Sequence, residues 1–387
     1  MAGRASTASA HQQPLRLFLC GDVMLGRGID QILPQPCDPA LHEDYVHSAL
    51  EYVQLAEAAN GPIKQPVALG YVWGAALDQL KQARPDARII NLETSITRNE
   101  DFDPKGINYR VSPENAGVLV AAHIDCCVLA NNHILDWGRA GLLDTLTTLK
   151  RLRIKSAGAG RTLEEARAAA ALSISGKARV LVFSFAAVTS GTPRNWAAAP
   201  DAAGVNLLTD LSDATVHRTI DRIIHERQLG DVIIVSIHWG PNWGYEVSDA
   251  QRRFAHALID GAGVSIVHGH SSHHAKAIEV YRDRLILYGC GDFLNDYEGI
   301  RGYEDYRDDL AVMYFVDIAI SGAVSGINLV PLCIKRFQLV PASTADAEWL
   351  RKTLDRESHR FGTSVVMAAP GRLTVRSTVT SEVDPHQ

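Results

Sequence analysis

One pattern constrains this chain more than any other: five short apolar runs, each stopping at a polar or ionisable residue. Residues 15–20 end in Gly21-Asp22, 87–92 in Glu93, 124–130 in Asn131-Asn132-His133, 231–237 in His238-Trp239-Gly240, and 264–267 in His268-Gly269-His270. Runs of this length with few polar interruptions are the pattern of strands covered on both faces. Helical periodicity fills the gaps, at 71–84, 113–122, 141–152, 211–228 and 249–261. Strands alternating with helices predict an α/β fold with βαβ units, a largely parallel sheet and helices on both faces. Ligands of such sheets bind beyond the carboxyl ends of the strands, which is where every one of these polar residues falls.

After Ser271 the runs change to 275–281, 285–288, 311–320 and 327–334, which predict a second, mostly antiparallel layer packing on the first. Residues 191–205, rich in Pro, Ala and Asn, read as a long loop near the site. Residues 295–309 hold six acidic residues and three tyrosines and read as a lid or a solvated loop. The expected organisation is a disordered segment 1–13, one domain over 14–340, and a C-terminal helix with a frayed tail over 341–387, polar from about Thr374.

Six cysteines, none in a CxxC pair, lie mostly inside apolar runs and read as buried free thiols in a reducing compartment. A formal net charge of −6 argues against nucleic acid or an anionic membrane as partner. No apolar stretch near the N-terminus suits a signal peptide, and no window approaches the roughly 18 apolar residues of a membrane span. The expected location is cytoplasmic.

Taken together, Asp22, Glu93, Asn132, His133, His238, His270 and His273 offer carboxylate, amide and imidazole donors. Such a set suits two hard divalent cations sharing one carboxylate, and a pair about 3.5–4 Å apart clamps a phosphate in line. A further histidine beside them protonates a leaving group. Each residue also has a plainer reading. Asp22 suits a helix N-cap, Asn131-Asn132 a turn, and His238 a satisfied core position. Asp292 and Asp296 read as loop carboxylates outside the ligand set.

The segments Gly21-Asp22-Val23-Met24-Leu25-Gly26-Arg27, Asn91-Leu92-Glu93, Asn131-Asn132-His133, Ile237-His238-Trp239-Gly240 and 269–273 resemble the motif series of the CapA family. That family is linked to poly-γ-glutamate capsule synthesis and belongs to the calcineurin-like metallophosphoesterase superfamily. Ile278-Glu279-Val280-Tyr281 and 288–293 resemble the stretch that closes its domain. The resemblance implies a layered metallophosphatase-like sandwich of mixed sheets flanked by helices, with the active site at the carboxyl ends of the strands. It implies that Asp22 ligates one metal, Glu93 bridges both, Asn132 and His238 hold the second, and His270 and His273 complete the shell. His133 becomes the catalytic acid, with Asp22 and Glu93 in the catalytic group, and Arg27 contacts an anionic substrate; Trp239, read from its type and place alone, lines the substrate pocket or packs in the core. The metals implied are Mn, Fe, Zn or Mg. Met24 stands where the superfamily has a histidine, and Ser271 replaces another. These departures point to one weak or empty metal site, with His268 or His274 as compensating ligands.

Three functions fit such a pocket: a metal-dependent hydrolase or transferase acting on a phosphoester or a γ-glutamyl or other peptide substrate; a metal-independent acid–base enzyme such as a peptide or amino-acid epimerase; and a non-catalytic protein binding an acidic polymer such as polyglutamate.

Overall fold

The computed structural model describes residues 14–319 and 321–377. The expected disordered segment 1–13 therefore lies outside the described residues. The strands that matter for the site are β1 (Leu15–Val23), β2 (Ala87–Leu92), β3 (Cys126–Val128), β4 (Lys155–Ala157), β5 (Ala178–Ala187), β6 (Val232–His238), β7 (Ile266–His270), β8 (Ile278–Tyr281), β9 (Arg284–Leu287), β10 (Asp292–Leu294), β11 (Leu310–Ile318), β12 (Val324–Lys335), β13 (Thr363–Ala369) and β14 (Arg372–Ser377). The main helices are α1 (Ala49–Asn60), α2 (Ala75–Ala83), α3 (Gly138–Arg151), α4 (Asp213–Glu226), α5 (Asp249–Ala262) and α6 (Thr344–His359).

Among the described residues the strands form two large mixed sheets. A ten-stranded sheet runs β13-β14-β12-β11-β1-β2-β3-β4, with β10 parallel to β1 and Gln338–Pro341 beside β12. A seven-stranded sheet contains β5-β6-β7-β9-β8 in that order, with Ala170–Ile174 antiparallel to β5.

Period-two alternation explains why the strands read as unbroken apolar runs. On β1, Leu17 and Leu19 face the other sheet, while Phe18 and Cys20 face helices; on β5, Val180 and Val182 point inward and Leu181 and Phe183 outward. The two sheets thus face each other across one apolar layer, with α1 and α2 packed outside the first and α4 and α5 outside the second. Leu17, Leu19 and Ile234 in that layer are fully buried, and truncating any one to alanine costs about 2–5 kcal/mol.

The helices start where their caps allow. Ser248 accepts from the Gln251 amide while the Gln251 side chain bonds back, and α5 ends at Gly263 in the left-handed region at φ 67°. Ser48 and Glu51 form the same box on α1, a helix the sequence periodicity does not reveal.

Two expectations need correction. The strand-end residues do not line one parallel sheet: β1, β2 and β3 belong to one sheet and β6 and β7 to the other. Nor do the later runs form a separate layer. β8 and β9 extend the seven-stranded sheet, with β9 parallel to β7, whereas β11 and β12 pair antiparallel beside β1. Burial on both faces dictates apolar composition without dictating which sheet a strand joins. The tail is also more ordered than its polarity suggests, since Thr374–Ser377 are part of β14, paired with β13. Residues 378–387 lie outside the described set.

Candidate active site

The site lies at the seam between the two sheets, where the carboxyl ends of β1, β2 and β3 meet those of β6 and β7. Asp22 is fully buried near the end of β1. Its Oδ1 accepts from Asn91 Nδ2 at 2.7 Å and its Oδ2 from the Ser271 amide at 3.1 Å. No cap role remains for it. Gly21 is required beside it, because a Cβ there would sit 1.6 Å from the Gly291 carbonyl oxygen.

Two groups of donors converge around this aspartate. In the first, Asp22, His273 and Asp292 bring ligand atoms within 4.8 Å of one another. His273 Nδ1 bonds Asp292 Oδ1 at 2.8 Å, and Asn295 Nδ2 donates to Asp292 Oδ2. In the second, the Asn132 side-chain oxygen lies 2.7 Å from His238 Nε2, which is 3.7 Å from Glu93 Oε1. His270 Nδ1 stands 2.7 Å from His238 Nδ1 and 3.9 Å from Asp22 Oδ1. The carboxylates Asp22, Glu93 and Asp292 and the imidazoles of His238, His270 and His273 are all buried.

Burial dominates the electrostatics of this cluster. Burial, then the charge of Asp292, pushes the Asp22 carboxyl up to about 7, against the opposing bond from Asn91. Burial, then Asp22 and Asp292, drives Glu93 well above the carboxylate range. Burial alone would lower His273, but Asp292 and Asp22 outweigh it and raise the imidazole. Burial, reinforced by neighbouring histidines, holds His238 and His270 well below the ordinary range. Three buried carboxylates facing oxygen and nitrogen lone pairs are a strained arrangement by themselves. Divalent cations fit this donor set in both charge and ligand type.

His133 stands at one side, its Nε2 3.8 Å from Glu93 Oε1. Its Nδ1 bonds Asp136 Oδ2 at 2.7 Å, and Lys105 Nζ lies 3.2 Å from the same nitrogen and 2.8 Å from Asp136 Oδ1. Burial lowers His133 to about 4 against the pull of Asp136.

The structure thus brings together Asp22, Glu93, Asn132, His133, His238, His270 and His273. It does not bring in Arg27 or Trp239. The Arg27 guanidinium is buried, paired with Asp296 at 2.5 Å and Glu43 at 2.9 Å, and its faces lie over Tyr52 and Tyr109. Trp239 is buried on the outer side of its strand, stacked on Tyr288 and donating to the Tyr288 carbonyl. Met24, at the position expected to carry a histidine, accepts from the Tyr297 hydroxyl through its sulfur at 3.6 Å. Neither expected compensating ligand reaches Asp22. His268 is bonded to Ser236 and the Cys20 carbonyl, and His274 packs among Trp243, Tyr245 and Tyr306.

The sequence reading set Asp292 outside the ligand set, where the structure joins it to Asp22 and His273, and it missed Asn91, Asp136 and Lys105. A signal existed for Asp136, three residues after His133 on a turn. Asp292 carried no spacing signal, because only the parallel pairing of β10 with β1 sets it opposite Asp22. The 295–309 segment contributes Asp296 to Arg27, Tyr297 beside His273, and Tyr303 stacked on Trp243 at 3.9 Å. All six cysteines are buried and free, and no helix among the described residues is long and apolar enough to cross a membrane.

Comparison with known proteins agrees with the motif series. A "probable polyglutamine synthesis accessory protein" of Mycobacterium tuberculosis (strain ATCC 25618 / H37Rv) is 46% identical over 93% of this chain and 95% of the relative. The "PGA biosynthesis protein CapA" of Bacillus subtilis (strain 168) is 25% identical over 96% of this chain and 86% of its own length. Among solved structures, a 5'-nucleotidase precursor from Thermus thermophilus superimposes with a TM-score of 0.43 and 12% identity, over 89% of this chain and 58% of that one, a distant likeness. Residues 16–297, well over half of the chain, match the family described as bacterial capsule synthesis protein PGA_cap, and this chain belongs to that family.

Proposed function

We propose that the protein is a metal-dependent hydrolase or transferase of the metallophosphoesterase type, acting on a phosphoester or a γ-glutamyl or other peptide bond. The observation that carries it is the convergence of two donor groups on Asp22 and Glu93 with a histidine–aspartate pair beside them. Asp22, His273 and Asp292 would hold one divalent cation, and Glu93, Asn132 and His238 the other, with His270 bonded behind His238. Two such cations supply Lewis acidity toward a phosphoryl or carbonyl oxygen and acidify a coordinated water.

The chain's own residues do the rest. Asn91 orients Asp22 through a 2.7 Å bond and also reaches Glu93 at 3.4 Å, so one amide aligns both carboxylates. Asn131 fixes Asn91 in turn, donating to its side-chain oxygen at 3.1 Å. Asp136 accepts from His133 Nδ1, which leaves Nε2 facing the reaction space as the atom that exchanges a proton with the leaving group. Held near 4, His133 is neutral at pH 7 in the free protein. An anionic substrate beside it raises its affinity for the proton it then donates. The relatives' names, a polyglutamine synthesis accessory protein and a PGA biosynthesis protein, favour a substrate met in the synthesis of such a polymer.

The test is a metal count by plasma mass spectrometry on protein purified without chelator, alongside turnover of a chromogenic phosphodiester and a γ-glutamyl anilide. About two ions per chain are expected, lost in Glu93→Ala together with turnover. A wild type that stays metal-free after incubation with manganese or zinc overturns the proposal, as does turnover that persists in chelator.

A further inference from the structure

Behind the site a row of polar side chains continues the inner face of the seven-stranded sheet. On β6 that face runs Val232, Ile234, Ser236, His238, and on β7 it runs Ile266, His268, His270. The parallel register sets Ser236 opposite His268 and His238 opposite His270. The apolar layer between the sheets thus gives way to hydroxyl and imidazole groups as it nears the strand ends. All four side chains are buried.

They form one continuous hydrogen-bonded chain. His268 Nε2 lies 2.8 Å from the Cys20 carbonyl oxygen, on β1 of the opposite sheet. His268 Nδ1 lies 3.0 Å from Ser236 Oγ, which is 2.8 Å from His270 Nε2. His270 Nδ1 lies 2.7 Å from His238 Nδ1, and His238 Nε2 lies 2.7 Å from the Asn132 side-chain oxygen.

The Cys20 backbone carbonyl has no proton to give and sets the direction of the links that follow from it; three neutral imidazoles and one hydroxyl bring four protons to five links, so the last link has none. His268 donates through Nε2, so with one ring proton its Nδ1 is a lone pair. Ser236 spends its single hydroxyl proton on that lone pair and accepts from His270 Nε2–H. His270 therefore presents a lone pair at Nδ1, on the side of Asp22. His238 donates to that lone pair through Nδ1, and the link without a proton falls between His238 Nε2 and the Asn132 oxygen, two acceptors 2.7 Å apart beside Glu93. We propose that Ser236 and His268 are positioning residues that transmit the polarity of the Cys20 carbonyl through the sheet seam, fixing His270 as the acceptor of His238 Nδ1–H and so turning the His238 Nε2 lone pair, together with the Asn132 oxygen, toward a cation. The cation is that of the proposed function, and to that extent the inference rests on it; the tautomer assignment stands on the hydrogen-bond chain alone. Partners that set the tautomer of a ligating histidine typically change metal affinity 10–100-fold when removed.

The test reads tautomers and affinity separately. In chelator-treated protein, 15N–1H correlation spectra of the imidazoles are expected to show Nε2–H for His268 and His270 and Nδ1–H for His238. His270 protonated at Nδ1, or at both nitrogens, overturns the inference whether or not any metal binds. Zn2+ titration of Ser236→Ala is expected to show affinity at least about tenfold weaker than wild type and mixed His270 tautomers. Ser236→Thr and His268→Gln, which keep a hydroxyl and an amide donor–acceptor pair in the chain, are expected to restore both. Wild-type Zn2+ affinity and an unchanged His270 spectrum in Ser236→Ala also overturn it. A wild type with the expected tautomers that takes up no Zn2+ instead defeats the metal-dependent reading and leaves the chain direction in place.

Discussion

The side-chain oxygen of Asn132 lies 2.7 Å from Nε2 of His238, although the two residues are 106 positions apart and belong to different sheets. Asn132 follows β3 of the ten-stranded sheet, and His238 ends β6 of the seven-stranded one. The site is therefore a property of the seam: neither sheet carries a complete donor set, and their relative placement makes one. Substitution on one side should then disable ligands on the other. Asn132→Ala is expected to lose one of two bound ions per chain and to lower turnover by about a hundredfold or more. Metal counting on the purified variant, with its melting temperature as a folding control, checks this. Retention of both ions would remove Asn132 from the ligand set.

Asp292 tests the other half of the site. Its carboxylate bonds His273 at 2.8 Å and forms one donor group with Asp22 and His273, although the sequence pattern placed it outside the ligand set. Asp292→Asn keeps the side chain's shape and an acceptor oxygen for His273 but removes the charge and puts a donor where Asn295 Nδ2 now donates. The expected outcome is loss of the ion shared with Asp22 and His273, with the other retained. In the metal-free protein the same change should lower the Asp22 carboxyl from about 7, because Asp292 is the leading charge that raises it after burial. Carbon-13 titration of the Asp22 carboxyl reads that shift.

What was legible in the chain follows from these two residues. Strands covered on both faces need apolar side chains throughout, so β1, β2, β6 and β7 are visible as runs, and the residues that break them are visible as strand ends. Sheet membership was not legible, because it depends on partners far away in sequence: β11 pairs with β1 over Leu15↔Ile318. Asp292 became a site residue only through that kind of pairing, Asp22↔Asp292 in parallel register. The histidines within β7 and just beyond it were legible as a group, but their separate roles were not. Face parity sends His268 and His270 inward to Ser236, and the loop beyond sends His273 to Asp292. Arg27 looked available for an anionic ligand because Glu43 and Asp296, which engage it, come from segments 16 and 269 residues away.

Arg27 accordingly bears on stability rather than affinity. Its guanidinium is 4% exposed and bridges two carboxylates that are also buried. Removing one partner of a buried ion pair strands the other, at about 3–5 kcal/mol. Arg27→Met is expected to be destabilised by that amount in urea titration, with KM changed little in whatever protein remains folded. A raised KM with unchanged stability would return Arg27 to the substrate.

Lys105 adds to the depression of the His133 pKa. Burial is the main cause of its depression to about 4, Asp136 opposes this, and the Lys105 ammonium adds to it. Taking away a positive charge favours the imidazolium, so Lys105→Met raises the His133 pKa; taking away the Asp136 charge lowers it. The limb of the kcat/KM–pH profile governed by His133 should move to higher pH in Lys105→Met and to lower pH in Asp136→Asn. If neither limb moves, some other group carries the proton.

His268 makes the fold itself sensitive to acid. Burial lowers it to about 4, partly offset by its bond to the Cys20 carbonyl, whereas an unfolded histidine titrates near 6.5. Above about pH 6.5 the ring is neutral in both states and costs nothing. Between about 6.5 and 4 the unfolded chain binds a proton that the folded chain refuses, so stability falls as pH falls, by up to about 1.4 kcal/mol per pH unit. Glutamine does not titrate, yet it can donate to the carbonyl and accept from Ser236. Urea unfolding of chelator-treated wild type and His268→Gln at several pH values between 4 and 7.5 should give curves that run parallel above pH 6.5. Below it, wild type should decline more steeply. If both decline alike, His268 is already charged in the folded protein, and the direction of the hydrogen-bond chain behind His270 would have to be drawn differently.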